Sequence, residues 1–293
     1  MNTLTHALLN RPAVSRSQLQ RALLPVALTL AAMALLWPTL AHAFEVWSTV
    51  EEFSYGYFIL PISVLLIWLR RESLRTSLGV GSALGLPIVL VSLVTYLVGW
   101  RAGVHAVSGL AAIPMIWGMT VFLWGWRAAR VLAFPLGFLA FGLGVYRGLL
   151  NTVGFAMQDV TAIGAGALGH ALGLSVVRDG LVLQTDHWAF IVAEACSGMS
   201  SLVSLLALAA LWVYVARDSL SRRLALVLSV APLVLLANTI RVTSVLMVAS
   251  WFGQDTALGF FHGASSLVLF GLALVSLLVF SRMLGCSTPN LSR

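Results

Sequence analysis

Apolar residues gather in eight runs along this chain, at approximately Leu23–Ala41, Tyr55–Leu69, Gly79–Gly99, Val104–Gly125, Val131–Val145, Ala195–Val215, Leu224–Trp251 and Phe261–Phe280. A helix needs about 20 apolar residues to span a hydrocarbon core, and most of these runs supply them. Tyr55–Leu69 and Val131–Val145 are short and contain Pro61 and Pro135. Such segments extend into their flanks, tilt, or re-enter the face they left. The pattern predicts about eight spans, with six or seven as the alternatives.

Polar positions orient the spans. Placing arginines alternately puts Arg11, Arg16, Arg21, Arg70, Arg71, Arg75, Arg127, Arg130, Arg217, Arg222, Arg223, Arg282 and Arg293 on one side. The other side receives Arg101, Arg147 and Arg178, and Arg241 falls within a run. The positive-inside rule makes the first side cytoplasmic, with both termini inside. Most acids fall on the opposite side, including Glu45, Asp159, Asp179, Asp186, Glu194 and Asp255. Near the N-terminus, Arg21, an apolar run and Ala41-His42-Ala43 resemble a signal peptide with its cleavage site. That run is longer than such a segment needs, which favours an uncleaved first helix.

The long connection, about Tyr146–Glu194, lies outside in this scheme. Leu149–Leu174 is apolar and carries Gly164, Gly166, Gly169 and Gly173. It suits an interfacial helix, or one packed on the bundle through its small face. Val176–Leu183 reads as a short hairpin turning at Asp179-Gly180, and Ile191-Val192-Ala193 leads on from it. No long repeat or low-complexity segment interrupts the pattern.

Composition narrows the class. Of 293 residues 60% are hydrophobic and only 9% charged, where soluble domains carry about 25%. No room remains for a large soluble domain. The net charge of +7 comes from seventeen arginines clustered between apolar runs, which orient a membrane protein rather than bind nucleic acid. The two cysteines, Cys196 and Cys286, make no disulfide framework.

Candidate chemistry lies in Glu194-Ala195-Cys196-Ser197-Gly198, at the mouth of the sixth run. That run descends from outside, so Cys196 sits at its outer end. Arg241 lies ten residues before the outer end of the seventh run, roughly 15 Å deep. His262 opens the eighth run, again outside, while Cys286 lies beyond its cytoplasmic end. A thiol reacts as its thiolate, favoured near cations and helix N-termini. His262 suits proton transfer, and Arg241, always protonated, suits an oxyanion. Asn238, one turn before Arg241, can orient it or donate to the oxyanion. Gly198 allows close backbone approach. Glu194 also reads as an interfacial carboxylate or as a partner for Arg241. His105, His170 and His187 lack metal-ligand spacing, and His42 has no evident partner. Ser63, Ser200, Ser201 and Ser204 read as packing hydroxyls. No metal or cofactor site is expected.

Val192-Ala193-Glu194-Ala195-Cys196-Ser197-Gly198, then Asn238-Thr239-Ile240-Arg241, then Phe261-His262-Gly263, resembles the exosortase/archaeosortase family. Upstream, Phe53-Ser54-Tyr55-Gly56-Tyr57-Phe58-Ile59-Leu60-Pro61-Ile62-Ser63, Trp68-Leu69-Arg70-Arg71 and Val177-Arg178-Asp179-Gly180 are similar to its early segment and outer hairpin. The resemblance implies a multi-pass protein of the bacterial cytoplasmic membrane whose site faces the periplasm. It implies a cysteine protease or transpeptidase acting through a thioacyl-enzyme. Cys196 would be the nucleophile, Arg241 the transition-state stabiliser and His262 the acid/base. Substrates would be membrane-anchored proteins with a C-terminal sorting signal: a Pro-Glu-Pro-like motif, a helix and a basic cluster, linked to exopolysaccharide-associated export. Three positions depart from the pattern. Met199-Ser200-Ser201 stands where an Arg is frequent, Tyr55 where a His is common, and Gly263-Ala264-Ser265-Ser266 continues differently after His262.

The expected architecture is an all-α polytopic membrane protein, N-in and C-in. Residues 1–21 and 284–293 form cytoplasmic tails around one transmembrane domain, 22–283, with the active site on its outer side between 194 and 262. The outer segment holds an interfacial helix and a short hairpin. The rival readings are a transporter in which Arg241 binds an anion, and a non-catalytic factor for polysaccharide export. Paired inverted repeats, the mark of many transporters, are absent.

Overall fold

The first and seventh apolar runs become helices that overshoot them at both ends, because helical hydrogen bonding continues into polar flanks until a residue breaks it, whereas the second, third and sixth give helices that begin inside the run. The structure, a computed structural model, describes residues 16–50, 53–143, 147–185, 188–192, 196–216, 218–257, 259 and 262–286. The chain is mostly helical. In order, α1 is Arg16–Thr49, α2 Gly56–Leu69, α3 Arg71–Ser77, α4 Gly85–Arg101 and α5 His105–Phe138. Then follow α6 Arg147–Ala171, strands β1 Val177–Asp179, β2 Val182–Gln184 and β3 Ala189–Ile191, and helices α7 Met199–Val215, α8 Leu220–Phe252 and α9 His262–Met283. Three stretches, Val26–Thr49, His105–Gly142 and Leu220–Phe252, are long and apolar enough to cross a membrane. Gly56–Leu69, Gly85–Arg101, Met199–Val215 and Phe270–Met283 are shorter apolar helices. The protein is thus a polytopic helical membrane protein.

The fourth apolar run and the first half of the fifth fall in one element, α5, which reverses at Gly125. Its φ of 84° and ψ of 178° are open to glycine and strained for other residues. The two arms lie side by side: Trp117 Nε1 donates to the carbonyl of Ala129 at 2.7 Å. α4 runs antiparallel to the first arm, so close that a methyl at Gly85 would strike the backbone of Phe122. α1 is held by Thr39, whose hydroxyl meets Tyr96 Oη of α4 at 2.9 Å, and by Trp47, whose Nε1 donates to Gly142 O at 2.7 Å. Ser63 of α2 donates to Pro135 O of α5 at 2.7 Å. His42, read from the sequence as partnerless, packs its ring 4.1 Å from that of His105. The two lie 63 residues apart, and the packing of α4 and the start of α5 beside α1 brings them together.

The C-terminal half is built on α8. Its 33 residues extend about 50 Å, well beyond the roughly 30 Å of a hydrocarbon core. α7 and α9 flank its first two-thirds around Leu205, Leu226, Val230, Val234 and Leu277. The last third meets other neighbours. Val242, Val245, Leu246 and Ala249 pack against Ala162 and Ala165 of α6 and against Leu183, Phe190 and Val192 of the sheet. Of the two sequence-based arrangements for the 149–174 segment, the helix packs through its small face. A methyl at Gly164 would lie 2.7 Å from Thr239 Cγ2, so glycine lets the helices meet.

The expected hairpin forms as β1 and β2, with Asp179 paired to Val182 across the turn. A third strand, unforeseen, adds antiparallel to β2 in the order β1-β2-β3. Ala189 and Ile191 face out while Phe190 and Val192 face in, the alternation of a half-buried strand. Arg178 ties the sheet to α6 through an ion pair with Asp159.

Candidate active site

Ser197 and Gly198 stop the chain from entering a helix where the apolar pattern begins. The sixth run was expected to be helical from Ala195, yet α7 starts at Met199. Gly198 takes φ +77°, in the left-handed region where only glycine is at ease. Ser197 Oγ accepts from the Met199 N–H at 3.2 Å, satisfying one of the helix's unpaired donors. Cys196 therefore lies three residues ahead of α7, on the turn itself rather than in the first helical turn. It is buried, in the apolar cluster formed by the sheet, α6 and α8.

Asn238 fixes this turn. It is wholly enclosed, and its Nδ2 donates to the main-chain carbonyl of Cys196 at 2.7 Å and to Thr161 Oγ1 of α6 at 3.1 Å. Both amide protons are committed, so Asn238 acts on the backbone of the cysteine turn. Its Oδ1 is buried with no hydrogen-bond partner among the described residues. An enclosed acceptor left over costs about 1–3 kcal/mol, which packing alone would not select. A methyl at Gly198 would sit 3.2 Å from Asn238 Cγ, so the absent side chain also makes room for the clamp.

One turn further along α8, Arg241 is 6% exposed. A guanidinium enclosed to that degree must be hydrogen-bonded. Its Nε donates to Ser265 Oγ of α9 at 3.2 Å. Ser265 stands one turn after His262, the first residue of α9, so the two positions share a helix face. The His262 side chain, and Glu194 altogether, lie outside the described residues.

The fold thus joins Cys196 to Asn238, and Arg241 to the helix that begins at His262. Cys286 lies elsewhere, as the sequence indicated. It follows α9 beside Arg222, whose Nη1 donates to Gly285 O at 2.8 Å. Among the described residues no group of three or more His, Cys, Asp or Glu is placed to hold a metal ion.

Two residues of this arrangement escaped the sequence reading. Thr161 lies one turn before Gly164 on the small face of α6, and that face was the available signal. Ser265 was visible only as a departure after His262.

The family model described as transmembrane exosortase matches residues 47–279. Among curated proteins and solved structures nothing matches the chain. The matched span covers most of the chain and includes the cysteine turn, α8 and the start of α9, so the chain belongs to the transmembrane exosortase family.

Proposed function

We propose that the protein is a membrane cysteine transpeptidase that cleaves a C-terminal sorting signal at the outer face of the cytoplasmic membrane. Exosortases are generally cysteine transpeptidases acting on membrane-associated substrates. One observation carries the assignment to particular residues: α8 bonds the Cys196 main chain through Asn238 and, one turn on, bonds α9 through Arg241, on the face where His262 stands. A nucleophile, an oxyanion stabiliser and an acid/base must share one small volume, and in this reading α8 is the element that gathers them.

In this reading the Cys196 thiolate attacks the scissile carbonyl carbon. Negative charge collects on the carbonyl oxygen, where the Arg241 guanidinium stabilises it. Ser265 holds Nε, which fixes the plane of the fork. His262 gives a proton to the departing amine as the C–N bond breaks, leaving a thioester on Cys196 and releasing the C-terminal helix. An amine or water then attacks the thioester, His262 takes up the proton, and the thiolate returns. Ser197 and Gly198 hold the turn, and Glu194 supports the site's charge balance.

The placement follows from arginine asymmetry. We take eight spans, both termini inside: α1, α2, α4, the two arms of α5, α7, α8 and α9. The residues 1–21 and 284–293 are then cytoplasmic tails. α8 exceeds the hydrocarbon core by about 20 Å, and its surplus is the part packed against the sheet. Arg241 then stands at the outer surface of the bilayer rather than 15 Å below it. A substrate motif held above its own transmembrane helix would meet Cys196 at that level, with its basic cluster on the cytoplasmic side.

Co-expression with a protein bearing a Pro-Glu-Pro-like motif, a C-terminal helix and an arginine cluster tests this. Intact mass should show loss of the helix and cluster with the wild-type enzyme and full-length substrate with Cys196→Ala. Processing by a membrane-inserted Cys196→Ala protein would overturn the mechanism.

A further inference from the structure

The N-terminal half contains two neighbouring cavities with lining residues in common, on helices that carry none of the candidate catalytic residues. The first is a groove of about 590 Å³ between α1, α2 and α5. On α1 it runs from Thr29 to Trp47, about 27 Å at 1.5 Å per residue, close to a full hydrocarbon thickness. Its wall is almost wholly apolar. Three of its polar side chains are committed elsewhere: Thr39 to Tyr96, Trp47 to Gly142 O, and Thr120 to Ile116 O. The groove is open to the side. α1 is anchored at its outer half, whereas Val26, Leu30 and Met33 nearer its start are exposed. A hydrocarbon chain can enter laterally from the bilayer.

The second cavity, about 310 Å³, shares Thr39, Ala43, Gly142 and Leu143 with the groove and is lined also by His42 and His105. Trp100 packs on His105 at 4.9 Å, and Arg101 follows it at the end of α4. Glu45 Oε2 lies 3.6 Å from His42 Nδ1, on the solvent side. The Nδ1 of His105 is enclosed without a hydrogen-bond partner among the described residues. With Nδ1 of His42 turned to Glu45, its Nε2 is the nitrogen left for a ligand. An apolar groove that adjoins two imidazoles is matched to an amphiphile whose polar head accepts hydrogen bonds, as a phosphate does.

The groove's volume falls in the range of small-ligand cavities, about 300–1,000 Å³. The groove adjoins His42 and His105, whose ring nitrogens can hydrogen-bond a phosphate and offer nothing to the apolar side chains of a transmembrane helix. We propose that this is a phospholipid-binding site, with an acyl chain in the α1/α2/α5 groove and the phosphate on His42 and His105. The site is independent of the chemistry assigned to Cys196, and its failure would leave that assignment untouched.

The test uses the full chain in nanodiscs with a small fraction of phosphatidylglycerol carrying a photoreactive diazirine on its acyl chain. Irradiation should place adducts on groove residues such as Ala112 and Ile113 in excess over Leu228 and Leu236, which face outward from α8. Unlabelled phosphatidylglycerol should compete, and diacylglycerol with the same chains should not. His42→Gln with His105→Gln should reduce groove labelling at least fivefold, as should Ala112→Phe, which fills the channel. Labelling spread evenly over outward-facing helices would overturn the proposal. So would equal competition by diacylglycerol, a measurement on the wild-type protein that needs no variant to fold.

Discussion

The two cysteines stand at opposite ends of one three-helix unit, and each is bonded or close to a different level of α8. Cys196 is held at Asn238, whereas Cys286 lies by Arg222, sixteen residues and about 24 Å earlier along the helix. Asn238 and Thr161, which hold the Cys196 turn, are fully buried, and Arg241, one turn along α8, is nearly so. They act on main chain and on one another. Around Cys286 the partners are Asp218 and Arg222, side chains of a loop and a helix start. Buried polar side chains are costly to fold, and at Cys196 two of them, Asn238 and Thr161, are bonded in series to the cysteine's main chain. That contrast separates a positioned cysteine from an incidental one better than either residue's local sequence does.

The largest effect tests the contrast directly. Cys196→Ala should lower processing by at least about a thousandfold, the scale on which nucleophiles are lost. Cys286→Ala should leave the rate within twofold. Equal losses from the two substitutions would erase the distinction. Arg241→Lys should come next, about a hundredfold, because a point charge cannot reproduce a planar fork held by Ser265. A rate near wild type in that variant would remove Arg241 from the oxyanion.

Asn238→Ala should cost about 10–100-fold in rate, since displacing a reacting group by about 1 Å has effects of that order. It also removes two buried hydrogen bonds, to the Cys196 carbonyl and to Thr161, so the melting temperature should fall with the rate. Unchanged activity would show that the clamp merely packs. Gly198→Ala is milder. A side chain at φ +77° costs about 1–2 kcal/mol and crowds Asn238 Cγ. Several-fold slower processing and a melting point lower by a few degrees are expected, and no change in either would mean that the turn relaxes freely.

How much of this was legible beforehand depended on whether the signal was local. Leu23–Ala41 and Leu224–Trp251 announced α1 and α8 because hydrophobicity is a property of a window. Their ends did not follow, since Arg16–Ala22 and His42–Thr49 are polar or mixed yet still helical. Asp179-Gly180 announced a hairpin because its turn is local. β3 did not show, since three residues pair only when Thr185 and Trp188 close the loop beside them, through Thr185 N–H to Trp188 O at 2.8 Å. The start of α7 was misplaced because an apolar run does not reveal where a glycine takes positive φ. The site divided in the same way. Cys196 and Arg241 stood out by type, one a rare thiol and the other a charge within an apolar run. Thr161 and Ser265 are ordinary hydroxyls whose importance comes only from what lies across from them, 77 and 24 residues away. The pairing of His42 with His105 was hidden for the same reason.

The smallest effect concerns Cys286, and it sharpens the comparison from the other end. Burial pushes the Cys286 thiol above its ordinary pKa, Asp218 adds to the rise by its charge and a hydrogen bond, and Arg222 opposes it. Only the thiolate reacts, so a raised pKa means less thiolate at any given pH below it. In permeabilised vesicles carrying Cys196→Ala, iodoacetamide should therefore modify Cys286 more slowly at pH 8 than it modifies a free cysteine. The rate should keep rising at pH values where the free thiol has levelled off. Asp218→Asn removes a group that raises the pKa and should speed the reaction at pH 8. Arg222→Gln removes the one that lowers it and should slow it. If Cys286 instead reacted as fast as free cysteine and ignored both substitutions, its surroundings would have no hold on its chemistry. The difference between the two ends would then rest on Cys196 alone.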